Sequence, residues 1–268
     1  MVNNEIYEIY AIKYAHSERR TGDNFIGGDA HDGPMPLDYF VWAITNKKRT
    51  IILDTGFSLD TAKIRGREYL RNPGVGLGMI GIEPSKIKNV IISHMHYDHS
   101  GNEKLFPNAI YHLQDSEMAF CTGRNMCHET INHPFSEDDV VAMVRRVFAG
   151  RVKFHDGTSE LAPGITLHRI GGHTMGLQVV RVWTKRGWVV LASDASHFYA
   201  NMEQGRPFPI VYNMGEMLEG FKTLNMLASS PKHIIPGHDP LVMERYPTVG
   251  PDLKGIAVKL DEEPRVNK

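Results

Sequence analysis

Ser93-His94-Met95-His96-Tyr97-Asp98-His99-Ser100-Gly101 places three imidazoles and a carboxylate within six residues, directly after the apolar run Val90-Ile91-Ile92. Residues 94, 96 and 98 alternate, so an extended segment leaving a strand would point all three side chains one way. His99 falls out of that phase, which suits a tight bend into a helix and a second direction of coordination. Neutral imidazole and carboxylate are the donors that zinc and similar divalent metals accept. The stretch therefore predicts a metal site at the carboxyl end of a buried strand.

Three later loops share that design. Gly171-Gly172-His173-Thr174 follows a strand ending at Ile170, Ser193-Asp194-Ala195 follows one ending at Ala192, and Pro236-Gly237-His238-Asp239 follows a strand over residues 233–235. Each offers a metal-competent side chain just past a strand, beside residues that let the backbone turn sharply. With residues 94–99 they make five histidines and two aspartates, too many donors for one zinc ion and right for two.

Between these loops the chain reads as alternating strands and helices. Strands are expected over Glu5 to Tyr14, Leu37 to Thr45, Thr50 to Leu53 (which ends in Asp54-Thr55-Gly56) and Ala109 to Leu113. A second group is expected over Val152 to Phe154, Ile165 to Ile170, Gln178 to Trp183, Trp188 to Ala192 and His233 to Pro236. Residues 57–72 and 114–149 read as helical, with Ser136 as an N-cap followed by Glu137, Asp138 and Asp139 in the first turn. Met214, Met217, Leu218, Phe221, Leu224, Leu227 and Ala228 recur at helical spacing and read as core packing. Both halves run strands then helix, which predicts a two-layer sheet sandwich with helices outside. The tail from Pro251 reads as polar and peripheral.

Two tempting motifs fail on context. Gly76, Gly78 and Gly81 match G-x-G-x-x-G, but they follow a proline and a helix rather than a strand, so a loop beside the site is the better reading. His128-Glu129-Thr130-Ile131-Asn132-His133 approaches H-E-x-x-H, yet the second histidine comes one residue late and loses the helical registry, so both read as loop or surface residues. Residues 15–36, 76–81 and 114–136 are expected to wall the pocket.

Composition limits the partners. The chain of 268 residues has a formal net charge of −1, with 41% hydrophobic and 23% charged residues. That balance gives no electrostatic footprint for nucleic acid or an acidic membrane. No apolar stretch approaches the roughly 20 residues of a membrane helix. Met1 to Glu5 lacks the basic and apolar pattern of a secretory signal, and two cysteines, Cys121 and Cys127, make no disulfide framework. A cytoplasmic protein with free thiols is expected, of one domain over residues 1–268, with room left for a homodimer.

His-x-His-x-Asp-His, a later Gly-His, an Asp after a strand and a final Gly-His resemble the metallo-β-lactamase superfamily, and within it the N-acyl-homoserine lactonase group. The turn at Asp54-Thr55-Gly56, the segment from Leu77 to Pro84 and Ser193-Asp194-Ala195-Ser196 extend the resemblance over roughly residues 38–240. It implies a four-layer αββα sandwich and two divalent metal ions, with Zn2+ the expected pair. It assigns His94, His96 and His173 to one ion, Asp98, His99 and His238 to the other, and Asp194 to both. Asp54 then orients a ligand histidine from behind. The implied reaction opens a lactone, a small-molecule cyclic ester, by attack of a metal-bridging hydroxide, with Asp194 passing the proton to the departing ring oxygen.

The group's lactonases carry a tyrosine three residues after the bridging aspartate. Here that position is His197, with Tyr199 two residues further on, and the expectation is that one of them donates to the substrate. A glyoxalase-II-like thioesterase or another ester or amide hydrolase would use the same ligands, but only about 30 residues follow His238, short of that thioesterase's C-terminal helical region. A non-catalytic metal-binding scaffold would be marked by a lost ligand, and none is lost.

Overall fold

The computed structural model describes residues 4–265. Thirteen strands form two sheets. In chain order they are β1 (Glu8–Ser17), β2 (Leu37–Thr45), β3 (Thr50–Leu53), β4 (Glu68–Tyr69), β5 (Asn89–Ile91), β6 (Ile110–Gln114), β7 (Val152–His155), β8 (Thr158–Ala162), β9 (Ile165–Arg169), β10 (Gln178–Thr184), β11 (Gly187–Ser193), β12 (Ile234–Pro236) and β13 (Ala257–Lys259). The first sheet has the order β13-β1-β2-β3-β5-β6-β7, with β4 also on β1, and the second has the order β12-β11-β10-β9-β8.

Strand alternation sorts the apolar residues into three layers of packing. Ile9, Trp42, Ile51, Leu53 and Ile91 of the first sheet meet Ile165, Leu167, Val180, Val182 and Leu191 of the second, which forms the core between the sheets. The other face of the first sheet, including Ile12, Val41, Ile52 and Val90, is covered by Ala62, Leu77, Phe120 and Met143 from the helices Leu59–Arg65, Pro73–Met79, Asp115–Cys121 and Glu137–Phe148. The outer face of the second sheet, with Val179, Val190 and Ala192, takes Met217, Phe221 and Leu224 of the helix Met214–Leu227. Two sheets between two helical layers make the expected αββα sandwich.

Several expectations need correction. The segment over Gly76 to Gly81 is not a loop for most of its length: Pro73–Met79 is a helix. Its Gly74 N–H is capped by Asn72 Oδ1 at 2.8 Å, and Pro73 sits in the first turn, where no N–H is needed. Gly76 lets this helix lie on β1, because a Cβ there would come 2.6 Å from Ile12 Cγ2. The C-terminal tail is not peripheral either. Strand β13 pairs with β1, burying Ala257, Val258 and Leu260, and Asp261 accepts the Ile9 N–H. Strand β8, with its exposed and polar alternation, escaped the sequence reading. In the stripe on Met214–Leu227, Met214 and Leu218 face outward while Met217, Phe221 and Leu224 are buried.

The parallel strands β3, β5 and β6 point their carboxyl ends the same way. Asp54 follows β3 and Ser93 follows β5; in the other sheet Gly171 follows β9, Asp194 follows β11 and Gly237 follows β12. The two sheets are laced at that end. Ser93 O accepts the Gln178 N–H at 3.0 Å, and the Gln178 amide donates to Ile92 O and His112 O. All the loops of interest are thus held at one rim of the sandwich.

Candidate metal centre

Every residue picked out by the spacing arrives at that rim. His94, His96, His99, His173, Asp194 and His238 are buried and Asp98 is partly buried. His94 Nε2 and His173 Nε2 each lie 3.0 Å from His96 Nδ1. On the other side, His99 Nε2 and His238 Nε2 each lie 3.7 Å from Asp98 Oδ2. Asp194 stands between the two groups. Its Oδ2 is 3.1 Å from His173 Nε2 and 3.7 Å from His94 Nε2, and its Oδ1 is 3.0 Å from His238 Nε2 and 3.3 Å from His99 Nε2. One carboxylate therefore turns one oxygen to each group.

Hydrogen bonds behind the rings dictate which nitrogen carries the proton. His173 Nδ1 donates to Ile210 O at 2.7 Å and His238 Nδ1 to Asp38 O at 2.9 Å, and a carbonyl can only accept. His99 Nδ1 donates to Asp54 Oδ2 at 2.7 Å. The Ser93 hydroxyl spends its proton on Asp54 Oδ2 at 2.8 Å, so its oxygen is free to accept from His94 Nδ1 at 3.0 Å. In its neutral form each of these four imidazoles presents an unprotonated Nε2 to the centre, as a metal ligand must. Around His96 Nδ1 a single proton could serve only one neighbour, whereas a cation would satisfy all three nitrogens. His99 Nε2 and Asp194 Oδ1 are buried without a hydrogen-bond partner, a costly state unless something else fills their need. The donor set thus fits divalent metal on chemistry as well as number, with one group of His94, His96, His173 and Asp194 and another of Asp98, His99 and His238.

Burial holds His94 and His96 well below the ordinary imidazole value, which keeps them neutral. At His99 and His238 burial acts the same way, but the surrounding carboxylates, Asp194 foremost, outweigh it and push both up. At Asp194 the burial cost is overcome by His197, His238, His99 and His173, so its carboxyl is held well below the usual range.

The backbone is bent to make this possible. Asp54 and Ser193 are the non-glycine residues with positive φ among those described, at 62° and 45°, and both sit at strand ends against the centre. Gly237 has no room for a side chain: its Cβ would fall 2.8 Å from Asp194 Oδ1.

The sequence reading missed Glu117. This carboxylate is fully buried and joins the two histidine loops. Its Oε1 accepts the Met95 N–H at 2.8 Å, between His94 and His96, while Oε2 accepts Thr174 Oγ1 at 2.6 Å and the Gly176 N–H at 2.9 Å, just after His173. Nothing in its local spacing marks it, since it lies on one short helix and its partners are 22, 57 and 59 residues away.

His197 and Tyr199 part company. His197 Nε2 lies 3.0 Å from Asp194 Oδ2 and its ring stacks on Phe208 at 3.7 Å. Burial pushes its imidazole down to about 3, so it is neutral. Tyr199 does not reach in: it heads the helix Tyr199–Gln204, packs in the core between the sheets and lies under the Arg245 guanidinium at 3.9 Å. His128 and His133 are exposed, as their lost registry implied. Cys121 is buried, Cys127 is exposed, and the two are not bonded.

A small open cleft lies over the centre, lined by His96, Asp98, Asp194, His197 and His238 below and by Arg19, Tyr39, Arg65, Arg67, Tyr97 and Phe208 at its walls. An adjoining pocket shares His96 and Ile210, takes in His173, and is otherwise largely apolar, with Phe120, Ile131, Phe135, Pro209, Val211 and Tyr212. Among the described residues no helix is long and apolar enough to cross a membrane.

A two-sheet sandwich that gathers histidines and aspartates on the rim loops defines a class of metal-dependent hydrolase folds. The sequence pattern of the metallo-beta-lactamase superfamily matches residues 35–238, and the chain belongs to that superfamily. An N-acyl homoserine lactonase of Bacillus sp is 30% identical over 165 residues, 61% of this chain and 60% of that protein. An N-acyl homoserine lactonase of Agrobacterium fabrum is 28% identical over 177 residues, 57% of this chain and 60% of that one. The chain thus matches about three fifths of the length of these relatives. Among solved structures, that of a quorum-quenching N-acyl homoserine lactone lactonase superposes with a TM-score of 0.74 at 21% identity, covering 89% of this chain and 95% of that one. A hydrolase of the beta lactamase superfamily, AbOPH, gives 0.72 at 18% identity over 98% and 95%. At such identities these structures speak for the fold.

Proposed function

We propose that the chain is a metal-dependent hydrolase that opens lactone rings, using two divalent ions, zinc for preference, held by His94, His96, His173, Asp98, His99 and His238 with Asp194 shared between them. The observation that carries this reading is the Asp194 carboxylate, which offers one oxygen to each of two nitrogen-bearing groups. Two divalent ions held there would polarise an ester carbonyl and supply a deprotonated water as nucleophile.

The remaining work falls to the chain's own residues. Asp54, Ser93, Asp38 and Ile210 hold the ligand rings in one orientation and one tautomer, so little reorganisation is needed when substrate binds. Water adds across the ester: its oxygen goes to the carbonyl carbon, the ring C–O bond breaks, and a proton reaches the departing alkoxide. Asp194 is the carrier for that proton, and neutral His197, whose one N–H is committed to Asp194 Oδ2 at 3.0 Å, serves the substrate through that carboxylate, at the position where the group's lactonases use tyrosine. An apolar substituent on the ring fits the pocket between Phe120, Phe135 and Tyr212. The relatives named as lactonases support the substrate class.

The test is hydrolysis of a panel by zinc-loaded protein: acyl-homoserine lactones, plain γ- and δ-lactones, a glutathione thioester and a β-lactam, with His96→Ala as control. Lactone turnover that disappears in the control is expected. Turnover confined to the thioester or the β-lactam would overturn the lactone assignment while keeping the centre.

A further inference from the structure

One wall of the cleft carries more positive charge than a neutral lactone needs. Arg19, Arg65 and Arg67 line it, and all three are half-buried. Among the described residues no carboxylate lies within ion-pair distance of any of them; Arg71, Arg151, Arg181 and Arg245 also lack one, but Arg19, Arg65 and Arg67 are the ones gathered on a single wall over the centre.

The three differ in how their donors are spent. Arg65 gives both terminal nitrogens to carbonyls, of His133 at 2.7 Å and Phe135 at 2.9 Å, and lies 4.2 Å over the Tyr97 ring. It ties down the cleft wall and lends its charge. Arg67 donates through Nε to Tyr97 Oη at 3.2 Å and through Nη1 to Ser17 Oγ at 3.2 Å, which leaves Nη2 without an acceptor among the described residues. Arg19 donates through Nε to Asn24 Oδ1 and through Nη2 to Asp23 O, both at 2.7 Å, which leaves Nη1 likewise. Both side chains are thus held in place by neutral groups, with one guanidinium edge uncommitted.

Half-buried guanidinium groups that lack a counter-charge are costly unless a ligand supplies one. Arginine held by neutral partners with a free edge is the usual way to present donors to a carboxylate or phosphate oxygen. Asp98 on the cleft floor acts on Arg67 through its field, but it stands outside ion-pair distance and faces His99 and His238. The Tyr39 and Tyr97 hydroxyls, 3.4 Å apart, flank the same wall; one donates to the other, which leaves one O–H for the same ligand.

We propose that the preferred substrate is a lactone bearing an anionic group, of carboxylate or phosphate type, which the free edges of Arg67 and Arg19 hold while the ring ester lies over the metal centre. This rests on the lactone reading above and moves the substrate away from the uncharged acyl-homoserine lactones. The arginines position the ring; they do not touch the reacting bond.

The test compares two lactones with one ring: γ-butyrolactone, and the same ring with a carboxylate on the carbon beside the ring oxygen. Metal-loaded wild-type protein is expected to favour the anionic ring in kcat/KM by at least about tenfold, and added salt should shrink that ratio. Arg67→Gln and Arg19→Gln, each checked for folding by thermal melting, should each cut the ratio by about tenfold, whereas Arg67→Lys should retain part of it. A phosphate ester on the same ring, run in parallel, tells which anion the site prefers. A second readout needs no turnover: calorimetric Kd for the ring-opened dicarboxylate should weaken about tenfold in Arg67→Gln, while that for 4-hydroxybutyrate moves little. A ratio near one in the wild type, or a ratio untouched by both glutamine variants, overturns the proposal and leaves the lactone reading standing. If neither ring is opened, the lactone reading falls and calorimetry decides: unchanged dicarboxylate affinity in Arg67→Gln overturns the anion site, and weakened affinity upholds it.

Discussion

Glu117→Gln tests whether a residue outside the donor set holds the metal loops in place. The substitution keeps shape and removes charge. Three donors surround this carboxylate, the Met95 and Gly176 N–H groups and the Thr174 hydroxyl. A glutamine places its carbonyl oxygen against one side only. With that oxygen left to Thr174 and Gly176, the NH2 must face the Met95 N–H, donor against donor. One charge-assisted hydrogen bond is lost, worth about 1.5–3 kcal/mol, and a buried N–H is stranded at a further cost of about 1–3 kcal/mol. Burial of the carboxylate itself, which pushes the Glu117 carboxyl up, offsets part of this. A net loss of about 2–4 kcal/mol follows, a large share of a domain's usual 5–15 kcal/mol. Because the stranded N–H lies between His94 and His96, metal affinity should also fall by about 10–100-fold. Urea unfolding of the metal-free and zinc-loaded forms gives the first quantity, and competition with a chromogenic chelator gives the second. An unchanged chelator curve together with an unchanged urea midpoint would refute the reasoning, since it would mean the loops are positioned without this carboxylate.

Other consequences are quicker to check. His197→Ala should hold as much metal as the wild type by elemental analysis and lose about 10²–10⁴-fold in kcat, the range for proton transfer at the reaction centre; loss of metal instead would make His197 a ligand. Tyr199→Phe should change kcat and the melting midpoint little, because its buried hydroxyl has no partner to lose and faces away from the cleft. The carboxyl of Asp139 is pushed up to about 6, chiefly by burial, from an ordinary value of 3.8. The folded protein then keeps a proton that the unfolded chain has released between about pH 4 and 6, so stability falls as pH rises through that window. A gap of about two pH units caps the penalty near 3 kcal/mol above pH 6. Asp139→Asn removes it but also loses a helix-dipole attraction of about 0.3–1 kcal/mol, so a gain of about 1–2 kcal/mol is expected at pH 7.5 and none at pH 4. Urea midpoints of both proteins at the two pH values decide it.

The seven donors were legible in the chain because each is tied to a local pattern. Four come from one alternating stretch, and the other three sit within four residues of the end of an apolar strand, beside residues that permit a sharp turn. The Ser136 cap and the Met217-Phe221-Leu224 face were legible for the same reason, since both depend on spacings within one helix. Strand β13 was not, because a short polar-flanked tail gains its apolar partners only when it meets β1, almost the whole chain away.

Only the folded chain decided how those donors are used. Asp194 turns its two oxygens toward opposite groups because β11 and β12 bring it beside Gly237, where the absent Cβ leaves room. Glu117 clasps two loops far from it in sequence, Tyr199 is carried into the core by the helix it begins, and Arg19 and Arg67 meet across β1 and β4 at the cleft. Which side chains are competent donors is a property of residue type and local spacing, so the sequence alone could pick them out. Orientation, tautomer and the charge of the cleft wall depend on contacts between distant segments, which exist only once the two sheets have closed on each other.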